Sequence, residues 1–125
     1  MPSGVKPVLV VDDDDAVRDS LKTLLELQSF SVTTFETCQD FLASGSVEAV
    51  CLVLDIHLPG MNGFECMEAM KRSNRNLPTI LITARSDNVI RDRARSLGAV
   101  ALLEKPIDFN ELMFAIGRCD GLARP

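Results

Sequence analysis

A chain of 125 residues, 46% of them hydrophobic and 25% charged, is one domain's worth of globular protein with enough apolar material to bury its own core. Its formal charge of −5 argues against a nucleic-acid-binding surface, which rests on basic patches. Four cysteines without CxxC spacing and one histidine leave no zinc pattern, and no apolar run approaches the ~20 residues of a membrane span.

The start, Met1-Pro2-Ser3-Gly4, has no apolar signal core, so the expected location is the cytoplasm. Cys38, Cys51, Cys66 and Cys119 then read as reduced, buried thiols. The first apolar run, Val8–Val11, reads as a buried strand and passes directly into four aspartates at 12–15. Val17, Leu21, Leu24 and Leu25 recur at helical spacing and predict a helix over 16–28. β-Branched and aromatic residues predict a second strand over 30–35. Thr37 is placed to cap a short helix containing Phe41 and Leu42, closed by Ser44, Gly45 and Ser46. The third strand runs from Cys51 through Leu54 onto Asp55, and the chain then turns through Pro59-Gly60 and Asn62-Gly63. Gly63 leads a helix with Phe64, Met67 and Met70 on one face, closing in the polar run 72–76. Residues 78–83 form strand four, with Pro78 at its permissive first position. Ser86 or Asp87 caps the next helix, whose Ile90, Ala94 and Leu97 face inward and which stops at Gly98. Strand five covers 100–103 and runs into Glu104, Lys105 and Pro106. A last amphipathic helix carries Phe109, Leu112, Met113, Ile116 and Cys119, and 120–125 reads as a linker or free end. Met and Phe at these spacings are core packing rather than a cofactor stripe.

Five strands alternating with five helices require an α/β fold: a parallel sheet, helices on both faces, right-handed crossovers. The carboxyl ends of parallel strands share one edge, and ligand crevices of open α/β sheets lie there. Strand one brings Asp12 and Asp13 to that edge, strand three Asp55, strand four Thr83, and strand five Lys105. Carboxylates ~5 Å apart repel by about 3 kcal/mol at an effective dielectric near 20, so such a cluster calls for a cation. Mg²⁺ suits it, because it favours oxygen ligands and shares them with a phosphate. Phosphoryl transfer needs an oxygen nucleophile, a metal, a cation on the transferring oxygens and a hydroxyl or amide donor. Asp55, the acidic pair, Lys105 and Thr83 supply that list.

Asp14 and Asp15, before a helix, read as capping and dipole-complementing residues. Two other readings compete. Asp12-Asp13-Asp14 formally contains the Asp-x-Asp of haloacid-dehalogenase-type phosphatases, although that reading leaves Asp55 without a role in a short chain. A flavodoxin-like flavin binder shares the fold, but aspartates at 12–15 would repel a phosphate without a metal.

Val10-Val11-Asp12-Asp13, Asp55-Ile56-His57-Leu58-Pro59-Gly60-Met61-Asn62-Gly63, Thr83-Ala84 and Lys105-Pro106 together resemble the receiver (phosphoacceptor) domain of two-component response regulators. The resemblance spans about residues 6–119, so a single receiver domain is expected across 1–125. It implies a doubly wound, three-layer fold with strand order 2-1-3-4-5, and a signalling domain rather than an enzyme, one that assists its own phosphorylation and dephosphorylation. It further implies phosphorylation of Asp55 by a sensor histidine kinase, with Mg²⁺ held by Asp12, Asp13, Asp55 and the backbone carbonyl of His57. Lys105 would pair with one phosphoryl oxygen, and Thr83 would bond another once its hydroxyl swings inward. Lys105-Pro106 is a candidate cis bond.

One position departs from the family pattern. Receivers often carry Tyr or Phe three residues before the lysine, where the aromatic changes rotamer with the threonine; here that residue is Leu102. His57 and Arg85, two residues beyond Asp55 and Thr83, are expected to flank the crevice and shield an acyl phosphate. The helix over 88–97, strand five and the last helix form the face receivers use for partners. Its Arg91, Arg93 and Arg95 either pair across a homodimer formed on phosphorylation or are solvated. The chain looks closest to receivers joined to LuxR-type helix-turn-helix domains, so nucleic acid would be reached only through such an output domain. A stand-alone receiver is the other possibility.

Overall fold

The computed structural model describes residues 6–45 and 48–123, with side chains up to residue 120. The readings placed on residues 1–4, Ser46, Arg124 and Pro125 lie outside the described residues. In chain order the elements are β1 (Val8–Val11), α1 (Asp15–Leu27), β2 (Val32–Phe35), α2 (Cys38–Ala43) and β3 (Cys51–Asp55). They continue with α3 (Gly63–Arg72), β4 (Thr79–Thr83), α4 (Asn88–Ser96), β5 (Ala101–Glu104) and α5 (Phe109–Ala123). All strand pairs are parallel and the order is β2-β1-β3-β4-β5, as the resemblance implies.

Successive strand residues point to opposite faces, which splits the apolar runs into two layers. Leu9, Val11, Leu52, Leu54 and Leu81 meet Phe41 of α2, Cys66, Met67 and Met70 of α3 and Ala94 of α4. Val8, Val10, Val53, Ile80 and Ile82 meet Leu21 and Leu25 of α1 and Leu112 and Ile116 of α5. Near-continuous apolar runs in β1, β3 and β4 are thus consequences of burial on both faces. All four cysteines are free and buried, Cys38 and Cys66 in the first layer, Cys51 and Cys119 in the second.

Local chemistry sets the boundaries. Asp14 caps α1 by accepting from the N–H groups of Ala16 and Val17 at 2.8 and 3.3 Å, which draws Asp15 into the helix one residue earlier than the apolar spacing predicts. Phe30 is not part of β2. Ser29 takes a left-handed φ of 71° and the Phe30 N–H bonds back to the Leu25 carbonyl at 3.1 Å, so the end of α1 consumes that residue. Thr37 caps α2 as expected, and of the two candidates for α4 it is Asp87 that accepts from the Ile90 N–H. Residues 120–123 are helical, because α5 continues to Ala123. The Lys105-Pro106 bond is cis.

Strand register sets what shares the carboxyl edge. Val11 lies beside Leu54, Asp55 beside Ile82, and Thr83 beside Glu104. Asp12, Asp55, Thr83 and Lys105 are therefore at or one residue beyond the ends of four adjacent strands.

Candidate functional site

β3 delivers Asp55 as its last residue, and the loop behind it is tightly built. The Ile56 N–H continues the ladder to the Ile82 carbonyl at 2.9 Å, and the Ile56 carbonyl accepts from Gly63 N–H at 2.9 Å. A Cβ on Gly63 would lie 2.6 Å from the Asp55 carbonyl oxygen and 2.9 Å from the Ile56 Cα, so only glycine lets α3 start against the strand end. Asn62 then closes a capping box, its side chain accepting from Glu65 N–H while the Glu65 carboxylate accepts from Asn62 N–H, both at 2.9 Å. The turn residues anticipated the bend. The Asn-x-x-Glu spacing of Asn62 and Glu65 that fixes it is the sequence signature of this capping box.

Asp12 is fully buried and Asp55 is 3% exposed, while Asp13 is exposed at the rim. One carboxylate oxygen from each lies within 4.8 Å of the other two. Asp12 Oδ1 accepts from Asp14 N–H at 2.9 Å, whereas Oδ2 is buried without an aligned donor. Lys105 Nζ forms an ion pair with that oxygen at 3.0 Å and bonds Asp55 Oδ2 at 3.1 Å. The other Asp55 oxygen accepts from His57 N–H at 3.0 Å.

This arrangement is electrostatically incomplete. Each carboxylate pair at such separations repels by roughly 3 kcal/mol at an effective dielectric near 20, and one ammonium faces three carboxylates. Burial pushes the Asp55 carboxyl above its ordinary range, and the charge of Asp12 adds to it; the His57 N–H and Lys105 pull the other way without cancelling it. Burial also works against the Lys105 ammonium, but hydrogen bonds and charge from Asp12 and Asp55 outweigh it and hold the amine above its ordinary value. Three converging carboxylates that share one ammonium are a donor set that fits a hard divalent cation.

Thr83 sits at the same edge and is fully buried, but its hydroxyl does not address Asp55. Oγ1 donates to the Arg85 carbonyl at 2.7 Å, accepts from Arg85 N–H at 3.3 Å and lies 3.0 Å from His57 Nε2. His57 and Arg85 are both in contact with Thr83, the histidine by its ring and the arginine by its backbone. The ring contact joins residues 26 apart in sequence and has no signature along the chain. The alignment of Asp55 with Ile82 brings residues just beyond the ends of β3 and β4 together, but that alignment exists only once the strands are paired.

On the opposite flank, Leu102 is half-buried and packs into the layer that holds Ala94. Arg93 pairs with Glu68 at 2.7 Å and lies over the Phe64 ring, Arg91 bonds Ser86 and Asn88, and Arg95 meets Asp92 at 3.4 Å. The three arginines therefore have partners within the chain while staying at the solvated surface, with Arg95 80% exposed. Asp14, which the phosphatase reading needs as a second catalytic carboxylate, is occupied by its cap. No helix among the described residues is long and apolar enough to cross a membrane.

Comparison with known proteins gives one answer. A family model for the response regulator receiver domain matches residues 8–117. The transcriptional regulatory protein FixJ of Bradyrhizobium diazoefficiens is 37% identical over 94% of this chain and 58% of its own length. The transcriptional regulatory protein TdiR of Thauera aromatica is 36% identical over 94% of this chain and 52% of its own. The chain spans about half the length of the curated relatives it matches. Among solved structures, FixJ-N superposes with a TM-score of 0.87 at 30% identity, covering 100% of this chain and 99% of that one.

Proposed function

Because the chain belongs to the response regulator receiver domain family of two-component systems, we propose that Asp55 is the residue that accepts a phosphoryl group from the phosphohistidine of a sensor histidine kinase. The observation that carries this reading is the environment of Asp55 at the end of β3. Its carboxylate is oriented by the His57 N–H and Lys105, and the buried Asp12 carboxylate beside it shares that single ammonium. In the transfer an Asp55 oxygen forms the new O–P bond as the P–N bond to the donor imidazole breaks, and the electron pair leaves with that nitrogen. Lys105, already on Asp55 Oδ2, is within reach of a phosphoryl oxygen on the same carboxylate and would stabilise its charge. The Thr83 hydroxyl bonds a second phosphoryl oxygen after leaving Arg85 and His57.

Asp12, Asp13, Asp55 and the His57 carbonyl would hold Mg²⁺, which when bound neutralises the carboxylates and the phosphoryl oxygens together. With these groups the domain assists its own phosphorylation and dephosphorylation. The relatives support a reading of the rest of the protein's task. We place the domain in the cytoplasm as a single receiver unit over 1–125, controlling a partner or an output domain of the LuxR type through the face formed by α4, β5 and α5. A homodimer forms on phosphorylation, and nucleic acid is reached only through the output domain.

Incubation with acetyl phosphate and Mg²⁺ followed by mass spectrometry tests the acceptor. One phosphoryl adduct is expected on the wild type and none on Asp55→Asn, and an adduct that persists in the variant would falsify the assignment. Sedimentation with and without beryllofluoride checks the dimer.

A further inference from the structure

The Thr83 hydroxyl is saturated in a way that assigns a proton. A hydroxyl has one hydrogen and two lone pairs. Its hydrogen goes to the Arg85 carbonyl at 2.7 Å, because a carbonyl oxygen can only accept. Toward His57 Nε2, at 3.0 Å, Oγ1 must therefore act as acceptor, and Nε2 carries the hydrogen. The Arg85 N–H at 3.3 Å fills the remaining lone pair. All three capacities are in use and none is directed at Asp55.

We propose that the His57 imidazole is the positioning residue that holds Thr83 turned away from Asp55, tying the hydroxyl of β4 to the loop after β3. The switching half of this inference rests on the acceptor reading above; the hydrogen-bond half does not. Leu102, half-buried with an aliphatic side chain, has no donor or acceptor with which to engage the Thr83 hydroxyl. The ring instead reaches across from the acceptor's own loop. For Thr83 to bond a phosphoryl oxygen on Asp55, Oγ1 must leave the imidazole N–H and the Arg85 carbonyl together. The released ring lies beside a groove lined by Ile56, Leu58, Pro59, Phe64 and Ile90, which borders α3 and α4. His57 thereby couples the state of Asp55 to the packing beside α4.

The chain's single histidine makes the test direct, since imidazole ¹⁵N spectra contain one ring. In alkaline buffer without any phosphoryl mimic, the wild type is expected to show the Nε2-protonated tautomer. Thr83→Val removes its acceptor and should shift both ring nitrogens, and beryllofluoride with Mg²⁺ should shift them in the wild type. An Nδ1-protonated ring, or ring signals that ignore Thr83→Val, overturns the proposal. In the kinetic arm, His57→Ala should raise the rate of phosphorylation by acetyl phosphate about two- to tenfold, the worth of one hydrogen bond. His57→Gln, whose amide can still donate to Oγ1, should return the rate toward wild type. Equal rates in the alanine and glutamine variants count against the latch. If no variant takes up a phosphoryl group, the acceptor reading fails, and the ring spectrum of the unphosphorylated protein still decides the contact.

Discussion

The two flanks of the site are built differently. On the β3 side every strand residue is buried, the exit is pinned by the Ile56 and Gly63 hydrogen bonds, and α3 opens with a capping box. On the β5 side no strand residue is fully buried, the strand forms an edge of the sheet, and α4 buries only Ala94 outright. The difference follows from what each flank carries. Three carboxylates cannot be held near one another unless backbone and packing hold them there, whereas a surface that must change its packing needs low local stability. The rigid flank stores the charge conflict, and the lightly packed flank is free to respond to its relief.

The sharpest way to break this contrast is to add the same methyl group to both flanks. Gly63→Ala drives a Cβ into the Asp55 carbonyl and the Ile56 backbone, neither of which can rotate aside. A loss of about 3 kcal/mol or more in urea denaturation is expected. Gly117→Ala in α5 meets nothing within 4 Å and should gain about 0.5–1 kcal/mol from helix propensity. Comparable losses at both positions would remove the claim that the acceptor flank is the constrained one.

The capping residues give a smaller, second comparison. Asn62→Ala and Asp87→Ala each remove a side-chain cap, and each should cost about 1–2 kcal/mol. Their functional effects should differ. Asn62 fixes the loop between Asp55 and α3, so its loss should slow phosphorylation by acetyl phosphate several-fold. Asp87 lies beyond Thr83 on the responsive flank, and its loss should leave that rate within about twofold. Phosphorylation time courses on the two variants, compared at matched folded fraction, separate these outcomes.

What could be read before the fold was known divides along the same line. Apolar runs ending in Asp12, Asp55 and Thr83 gave the strands, and single β–α steps gave a parallel sheet, because burial on both faces writes itself into composition. The site residues followed, since parallel strands bring their carboxyl ends to one edge. A local hydrogen bond overrules the β pattern at Phe30, which the end of α1 holds, and residues 120–123 continue α5 although their composition reads as a linker. The His57 ring on Thr83 and the Glu68 partner of Arg93 depend on rotamers and on neighbours distant in sequence, and no spacing along the chain encodes them. Asp92 stands three residues before Arg95, a helical spacing that is legible in the sequence.

The smallest effect tests the charge conflict itself. Asp55 is held above its ordinary value near 3.8 chiefly by burial, so the folded state binds its proton at higher pH than the unfolded chain does. Above the folded value the ionised carboxylate therefore weakens the fold; as pH falls through that value the penalty is relieved, and it is gone once the unfolded group is protonated too. Asp55→Asn should accordingly stabilise the protein at neutral pH in chelator-treated buffer, with a gap over wild type that narrows toward acid. Lys105 behaves in the opposite sense. Its raised value adds stability that is full below the unfolded lysine value and is lost only as pH rises through the folded one, so it does not blur the acid limb. Adding Mg²⁺ at neutral pH should stabilise wild type more than Asp55→Asn and close the gap from the other side, because only the wild type keeps all three carboxylates. Urea denaturation of both proteins from neutral to acid pH, with and without Mg²⁺, measures each term. A gap that widens toward acid would mean that Asp55 is stabilised as a carboxylate, and that the acceptor flank holds no unresolved charge for phosphorylation to act upon.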